Sequence, residues 1–117
     1  MDLSMIVEKQ ISADRRRGFQ IDFESDAERV RPLEKDIVGL IGEVGEFSNV
    51  LKKVGLAISH AGYEGPSLDE AAPNMREELA DTLIYLMRLS AILGGNLETD
   101  LIRKMRVNDE RYGSLKG

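Results

Sequence analysis

The sequence predicts an all-α fold, a four-helix bundle-like domain, and two observations support this. Apolar residues recur along most of the chain at the three- and four-residue spacing of amphipathic helices. The chain also lacks the Asn-Gly and Asp-Gly pairs that signal a β-hairpin. Its 117 residues suit one domain, so residues 1–117 are expected to form a single all-α domain.

The first two helices are indicated by apolar stripes and by residues suited to helix ends. A first helix, expected to stop near Gly18, has one apolar face formed by Leu3, Ile6, Val7 and Ile11. Ser25 with Glu28 resembles a capping box, which here is expected to open a short turn. Pro32 suits the first turn of a second helix, because a periodic apolar stripe follows over residues 37–54.

A long loop and two further helices are expected in the second half of the chain. Glycine and proline residues predict a loop from Gly55 to Pro73, with one turn after Ser67. Asn74 can cap a third helix that ends at Gly94-Gly95. A fourth helix is expected from about Asn96 to Gly113, with an inner face formed by Leu97, Leu101, Ile102 and Met105.

Composition and charge exclude several classes of function. The chain contains no cysteine, which removes disulfides and thiolate chemistry and suits a reducing cytoplasm, the expected location. The net charge of −5 disfavours binding of a nucleic acid polymer, because that needs a basic surface. No segment approaches the roughly 20 apolar residues of a membrane span, and the N-terminus does not resemble a signal peptide. We therefore expect neither nucleic acid nor membrane as a partner.

The predicted third helix is the first place where chemistry is indicated. From Leu79 to Leu93 the only charged residues are Asp81 and Arg88, so most of this helix is apolar and is expected to be buried. Glu78, Asp81, Tyr85 and Arg88 fall within a stripe about 80° wide at 3.6 residues per turn. The one polar face of an otherwise apolar helix therefore carries two carboxylates.

The predicted second helix repeats this arrangement. Glu43 and Glu46 lie about one turn apart beside the apolar stripe. Gly39, Gly42 and Gly45 occur in the helix interior, where each costs about 1 kcal/mol relative to alanine. We interpret them as positions of close backbone approach or of open room beside the carboxylates, as a ligand site requires.

Four carboxylates brought together need a compensating cation. Their crowding in a partly desolvated place is unfavourable without protons or metal ions. Oxygen ligands favour Mg²⁺, with Mn²⁺ as the alternative, and Mg²⁺ usually shares its coordination with substrate phosphates. The plain alternative is that the four acids are surface residues that form salt bridges with Arg88, Lys52 or Lys53.

The predicted fourth helix carries a second polar group. Lys104, Asn108 and Arg111 share one helix face at i, i+4 and i+7, and two cations with an amide suit phosphate or sugar. Spacing alone fits equally well a solvated face that pairs with Asp100 or Glu110. Among other candidates, Tyr85 is expected in the core rather than stacked on a base, and His60, in the long loop, at the surface.

Three ordered elements carry a resemblance to a known family. The segments "GLIGEVGEFSNVLKK" (39–53) and "EELADTLIYLMRLS" (77–90) give E-x-x-E followed by E-x-x-D, and "KMRVNDERY" (104–112) gives K-x-x-x-N-x-x-R-Y. Together they closely resemble the MazG-like all-alpha nucleoside triphosphate pyrophosphatases. The resemblance covers residues 33–112.

The resemblance implies an activity and a site. The activity is hydrolysis of a nucleoside triphosphate between its α and β phosphates, which releases a monophosphate and pyrophosphate in a house-cleaning or pool-adjusting role. The implied metal ligands, with Mg²⁺ as cofactor, are Glu43, Glu46, Glu78 and Asp81. The implied substrate-binding residues are Lys53, Tyr85, Lys104, Asn108 and Arg111, with Tyr85 at the position of a base-contacting tyrosine in the dCTP-cleaving branch.

The resemblance also implies an oligomeric state and an aromatic residue that binds the nucleobase of the substrate. Family members are dimeric or tetrameric, so a homodimer or homotetramer that associates through apolar helices is expected. The tryptophan common in base-binding members is missing, because the chain has no tryptophan, and Phe19 or Phe23 is expected in its place.

These residues allow three interpretations: a hydrolase, a non-enzymatic protein and a di-iron protein. In the hydrolase, Glu43 or Glu46 is the catalytic residue that accepts a proton from the attacking water. A helical oligomerisation or interaction protein with a structural metal is the alternative. A ferritin-like di-iron protein is disfavoured, because that chemistry uses Glu-x-x-His pairs and His60 is the only histidine.

Overall fold

The computed structural model describes residues 1–113, and its four helices confirm the all-α prediction. The helices are α1 (Leu3–Arg16), α2 (Asp26–Ser59), α3 (Leu68–Ile92) and α4 (Leu97–Tyr112). No β-strand occurs within residues 1–113. The described residues divide into two compact units: a central unit, residues 30–86, and a terminal unit, which comprises residues 1–29 and 87–113.

Most helix ends lie where local sequence signals place them. The backbone N–H of Met5 donates to the Asp2 side chain at 2.9 Å, which caps the start of α1. Gly18, with a φ of +92°, follows the end of α1, and Gly94, with a φ of +74°, follows the end of α3. Asn96 caps α4 by accepting from the N–H of Thr99 at 3.0 Å.

The two proline signals gave wrong helix starts. Helix α2 begins at Asp26, and the Ser25 hydroxyl accepts from the N–H of Glu28 at 3.2 Å, so this cap opens the long helix itself. Helix α3 begins at Leu68 under a Ser67 cap, which leaves the predicted 55–73 loop much shorter. The expected Asn74 cap is therefore wrong, because Asn74 lies inside α3. Pro32 and Pro73 therefore lie inside helices, where each proline removes one backbone hydrogen bond. The serine caps, not the prolines, define where the helices start.

The central unit is held together by a small apolar core. Val54 from α2 and Ala71 and Met75 from α3 are buried against one another, and Phe47 and Val50 pack against them partly buried. This core joins the carboxyl-terminal part of α2 to the amino-terminal part of α3. The carboxylates of both helices lie on either side of it along the chain, so the core positions them.

In the terminal unit, α1 packs against α4. The backbone N–H of Ser4 donates to the Glu98 carboxylate at 2.6 Å, which links the first turns of the two helices. The predicted inner face of α4 is not buried in the described chain, because Leu97 is half-buried and Leu101, Ile102 and Met105 are exposed.

Much of α3 is also less buried than predicted. Leu79, Leu83 and Leu86 are all exposed in the single chain. The expectation of a buried α3 is therefore wrong for one copy of the described residues, because too little of the rest of the chain packs against it. Within residues 1–113, no helix is both long enough and apolar enough to cross a bilayer.

Candidate metal centre

Three of the four predicted acidic ligands converge in the central unit. Glu43 and Glu46 project from consecutive turns of α2, and Glu78 projects from α3. One carboxylate oxygen from each of the three lies within 4.8 Å of the others. Glu43 and Glu78 are half-buried and Glu46 is exposed. Two helices joined by the Val54 core thus bring together acids that lie 32 or more residues apart in sequence.

Glu78 is the most perturbed member of this cluster. Hydrogen bonding with the Glu43 carboxyl, partial burial and the proximity of Glu46 raise the pKa of Glu78 from 4.5 to about 7. Its Oε2 atom is buried and has no hydrogen-bond partner among the described residues. At neutral pH the cluster therefore holds a proton or needs a cation in its place.

The residues of the cluster fit a hard divalent cation. They offer only carboxylate oxygens, which suit Mg²⁺ or Mn²⁺, and no soft ligand is present. A buried carboxylate oxygen without a partner is costly, and a cation would satisfy it. Three protein ligands also leave coordination positions for water and phosphate oxygens, as Mg²⁺ usually requires.

The other predicted site residues of the central unit differ in exposure. Asp81 is exposed, one turn after Glu78 on α3, and does not belong to the group of oxygens within 4.8 Å. Tyr85 is half-buried and lies against Gly39 of α2. Lys53 is exposed on α2. The structure therefore brings three acids together and leaves Asp81 at their edge.

The three glycines of α2 have different surroundings. A β-carbon at position 39 would lie 2.5 Å from Cζ of Tyr85, so this glycine permits close approach. Positions 42 and 45 have no atom within 4 Å of such a β-carbon among the described residues. The expected close approach therefore occurs at Gly39, whereas Gly42 and Gly45 face open space in the described chain.

The predicted phosphate-binding residues lie in the terminal unit. Lys104, Asn108 and Arg111 are exposed along α4, and their spacing places them on one helix face. The Arg111 guanidinium lies 5.1 Å from the centre of the Tyr112 ring.

His60 is exposed as expected and lies 2.8 Å from the Ser59 hydroxyl.

Sequence reasoning missed one cluster entirely. Arg88 was expected on the carboxylate stripe of α3, but its guanidinium lies 3.5 Å from the Asp14 carboxylate, within the terminal unit. It also covers the ring of Phe19, 4.2 Å from the ring centre. No motif could indicate this pair, because 73 residues separate its members; only the unusual arginine on an apolar helix was visible.

The fold and the cluster together define a class: all-helical proteins in which carboxylates from two helices form a candidate divalent-metal site. The chain is similar to curated proteins that share one name. The chain is 33% identical to human dCTP pyrophosphatase 1 over 98 residues, which are 84% of this chain and 56% of the human protein. The mouse protein of the same name is 32% identical over 99 residues, again 84% of this chain and 56% of the relative.

These relatives are longer than the chain. It spans about half the length of the curated relatives that it matches, because the aligned part is 56% of each. No protein-family model matches the chain, and no solved structure matches it. The similarity to three proteins with one name nevertheless suggests the MazG-like family, in agreement with the motifs.

Proposed function

We propose that this chain is a Mg²⁺-dependent nucleoside triphosphate pyrophosphohydrolase. It would cleave a ribo- or deoxyribonucleoside triphosphate between the α and β phosphates, giving a monophosphate and pyrophosphate. The observation that carries this proposal is the convergence of Glu43, Glu46 and Glu78, in which the buried Glu78 Oε2 has no hydrogen-bond partner among residues 1–113. The similarity to dCTP pyrophosphatases supports it and makes dCTP the first substrate to test.

The acidic cluster would hold the metal. Glu43, Glu46 and Glu78 are the proposed ligands, joined by Asp81 once its exposed side chain turns toward the ion. When bound, Mg²⁺ would offset the negative charge of the triphosphate and of the transition state and fix its geometry. Mn²⁺ is the expected substitute, because it accepts the same oxygen ligands.

The chemical step needs a water and a base. Water attacks a phosphorus atom of the α–β anhydride; a new P–O bond forms, and the bridging P–O bond breaks. Pyrophosphate and the monophosphate are the products, and the proton of the water passes to Glu43 or Glu46. Glu46 is exposed and therefore accessible to this water and to the bulk solvent that later accepts the proton.

Further side chains would bind the substrate. Lys53 and Tyr85 of the central unit are proposed to contact it, Tyr85 through the base. The exposed face of α4 supplies two cations and an amide for phosphate and sugar: Lys104, Asn108 and Arg111. Phe19 or Phe23 would provide the aromatic ring that stacks on the base; Phe19 is exposed and Phe23 half-buried.

We also propose that the chain forms a homodimer or homotetramer. A heptad-spaced stripe on α2 is left uncovered in one copy, with exposed fractions of 43% to 81% at Ile37, Ile41, Val44, Leu51 and Ile58. On α3 an exposed row follows helical spacing through Leu79, Leu83 and Leu86. Apolar stripes of this length usually pack against another helix.

Pyrophosphate release tests the proposed activity. We expect release from at least one member of a panel of nucleoside triphosphates, dCTP included, with Mg²⁺ and none with EDTA. Glu46→Gln should remove most of this turnover and keep the helical content. Glu34→Gln, an exposed glutamate of the same helix, is the matched control and should be unchanged.

The same assay distinguishes the proposed activity from the alternative function. A non-enzymatic oligomerisation protein with a structural metal would bind Mg²⁺ at the cluster and release no pyrophosphate from any nucleotide of the panel. The exposed heptad stripe of α2 is the observation that favours this alternative. Turnover that depends on Mg²⁺ and on Glu46 excludes it.

A further inference from the structure

The terminal unit contains a cavity that the proposed function does not use. This cavity, of about 280 Å³, opens between the first half of α1 and the turn that leads from α3 into α4. All of its lining residues belong to the terminal unit, and none of them is among the residues proposed above to bind metal or nucleotide. The cavity is therefore a separate feature, and its lining indicates which ligand it fits.

Part of the cavity wall is apolar. Val7 and Ile11 lie about one turn apart on α1, and Leu97 is the first residue of α4. Ile11 is buried, and Val7 and Leu97 are half-buried. At about 30 Å³ for each water-sized group, the cavity holds about nine such groups, which is the size of a short aliphatic molecule. A carbon chain of that size would cover the apolar wall and displace water from it.

The charged part of the wall is entirely anionic. Glu98 is half-buried, and its carboxylate accepts from the backbone N–H of Ser4 at 2.6 Å, which holds it against the start of α1. Glu8 is exposed and lies about one turn after Ser4 on α1. The lining residues of the described chain include no lysine, arginine or histidine. Two carboxylates therefore face a ligand without a compensating cation among these residues.

An anionic ligand does not fit this cavity, although two helices begin beside it. Helix starts attract anions because their first backbone N–H groups lack partners within the helix. Here the side chains of Asp2 and Asn96 cap α1 and α4, and Glu98 occupies the N–H of Ser4. A bound anion would therefore have to displace these side-chain acceptors and would also be repelled by the two carboxylates.

We propose that this cavity binds a short aliphatic diamine. One ammonium group donates to Glu98 and the other to Glu8, and the carbon chain lies along the apolar wall. A primary ammonium carries three hydrogen-bond donors and no acceptor, which matches a wall whose charged groups are acceptors only. Charge complementarity therefore selects the ends of the ligand, and the cavity volume limits its length. This site is additional to the proposed nucleotide site and does not depend on hydrolysis.

Calorimetric titration with three probes tests the choice of charge. Hexanediamine, hexylamine and hexanoate share one carbon chain and differ in their charged ends. The titrations use about 0.15 M salt, which screens weak surface association, and include Mg²⁺ to occupy the acidic cluster of the central unit. Hexanediamine should bind with a Kd of about a millimolar or lower, and hexylamine several-fold more weakly. Hexanoate should show no binding.

Variants of the cavity wall test its location. Glu98→Gln removes a charge but keeps an oxygen that accepts from the Ser4 N–H, so it should weaken hexanediamine binding about tenfold or more without loss of fold. Val7→Phe adds volume at the wall without a change in charge and should also weaken binding at least tenfold. Glu110→Gln is the matched control, because it removes the same charge from an exposed position of α4 that does not line the cavity. It should leave the Kd within about twofold.

Three results would overturn the proposal. Hexanoate binding as tightly as hexanediamine would show that the carboxylates do not select the ligand. An equal effect of Glu98→Gln and Glu110→Gln would show that the net charge of α4, and not the cavity, attracts the amine. Loss of hexanediamine binding in Glu46→Gln, with Glu98→Gln unaffected, would place the amine at the acidic cluster instead. The pyrophosphate assay is independent of all three, so failure of the proposed activity leaves this test intact.

Discussion

Tyr85 of α3 lies against the α-carbon of Gly39 of α2. A β-carbon at position 39 would lie 2.5 Å from Cζ and 2.6 Å from the hydroxyl oxygen of Tyr85, too close for the ring to stay where it is. The glycine therefore sets how near the tyrosine comes to α2. Because Glu43 lies one turn further along α2, this contact helps fix the helix that carries two of the three clustered acids.

Replacement of Gly39 should reveal this contact in the free energy of unfolding. Gly39→Ala gains about 1 kcal/mol of helix propensity but loses about 1–3 kcal/mol by overpacking against Tyr85. Gly42→Ala is the control, because nothing in the described chain lies within 4 Å of a β-carbon there. It should gain about 0.5–1 kcal/mol in urea unfolding. Equal stabilisation by both variants would contradict the close approach.

The raised pKa of Glu78 predicts an unusual pH dependence in metal-free protein. An acid whose pKa is 4.5 when unfolded and about 7 when folded binds more protons in the native state between these values. Its contribution to the free energy of unfolding is therefore full at low pH and decreases as pH rises from 4.5 to about 7. Urea unfolding in EDTA across this range measures the slope. Glu78→Gln should remove that part of the slope.

The adjacent residue gives a control for that variant, and added metal gives a second measurement. Glu77→Gln changes an exposed glutamate and should keep the wild-type slope. Protons and Mg²⁺ compete for the Glu78 carboxyl, so the affinity for Mg²⁺ should increase as pH rises through about 7. Identical slopes for wild type and Glu78→Gln would show that Glu78 does not titrate in this range.

The local parts of the fold were predictable from sequence because short-range chemistry determines them. Asn96 caps α4 because its side-chain oxygen accepts from an N–H of the first turn, and Gly94 follows α3 because a residue without a β-carbon adopts a positive φ without strain. Pro32 and Pro73 misled the prediction because a proline weakens a helix without having to end it. A strong cap upstream of each proline decided the boundary.

The convergence of three of the four predicted acids was predictable and the Asp14–Arg88 pair was not, for a physical reason. Helical spacing places Glu43 and Glu46 one turn apart on α2. The same spacing places Glu78 on the polar stripe of α3, so the sequence shows acidic residues on one face of each helix. A pair formed across 73 residues between one acid and one arginine leaves no periodic trace. The burial of α3 was overestimated for the same reason, because apolar periodicity does not say whether the same chain or another covers a face.

The heptad stripe of α2 predicts that a single lysine disrupts assembly. Ile41 is 61% exposed in one copy, so Ile41→Lys should change the stability of an isolated chain by no more than about 0.5 kcal/mol. In an oligomer that packs through this stripe it would bury a charge, which is strongly unfavourable. Sedimentation should show a smaller species with unchanged helical content. Met5→Lys, an exposed apolar residue of α1, is the control; equal masses for wild type and Ile41→Lys would refute assembly through this stripe.

The exposed face of α4 predicts a change in substrate affinity that depends on which side of the helix is altered. Lys104 shares its face with Asn108 and Arg111, whereas Arg106, two residues further on, points about 160° away. Loss of a charged contact to phosphate costs about 1.5–3 kcal/mol, so Lys104→Met should raise the KM for a nucleoside triphosphate about 10- to 100-fold. Arg106→Met removes the same charge from the same helix and should leave KM within about twofold, which controls for long-range electrostatics. Steady-state kinetics at two salt concentrations measures both variants; if they raise KM equally, the net charge of α4 attracts the substrate and Lys104 makes no specific phosphate contact.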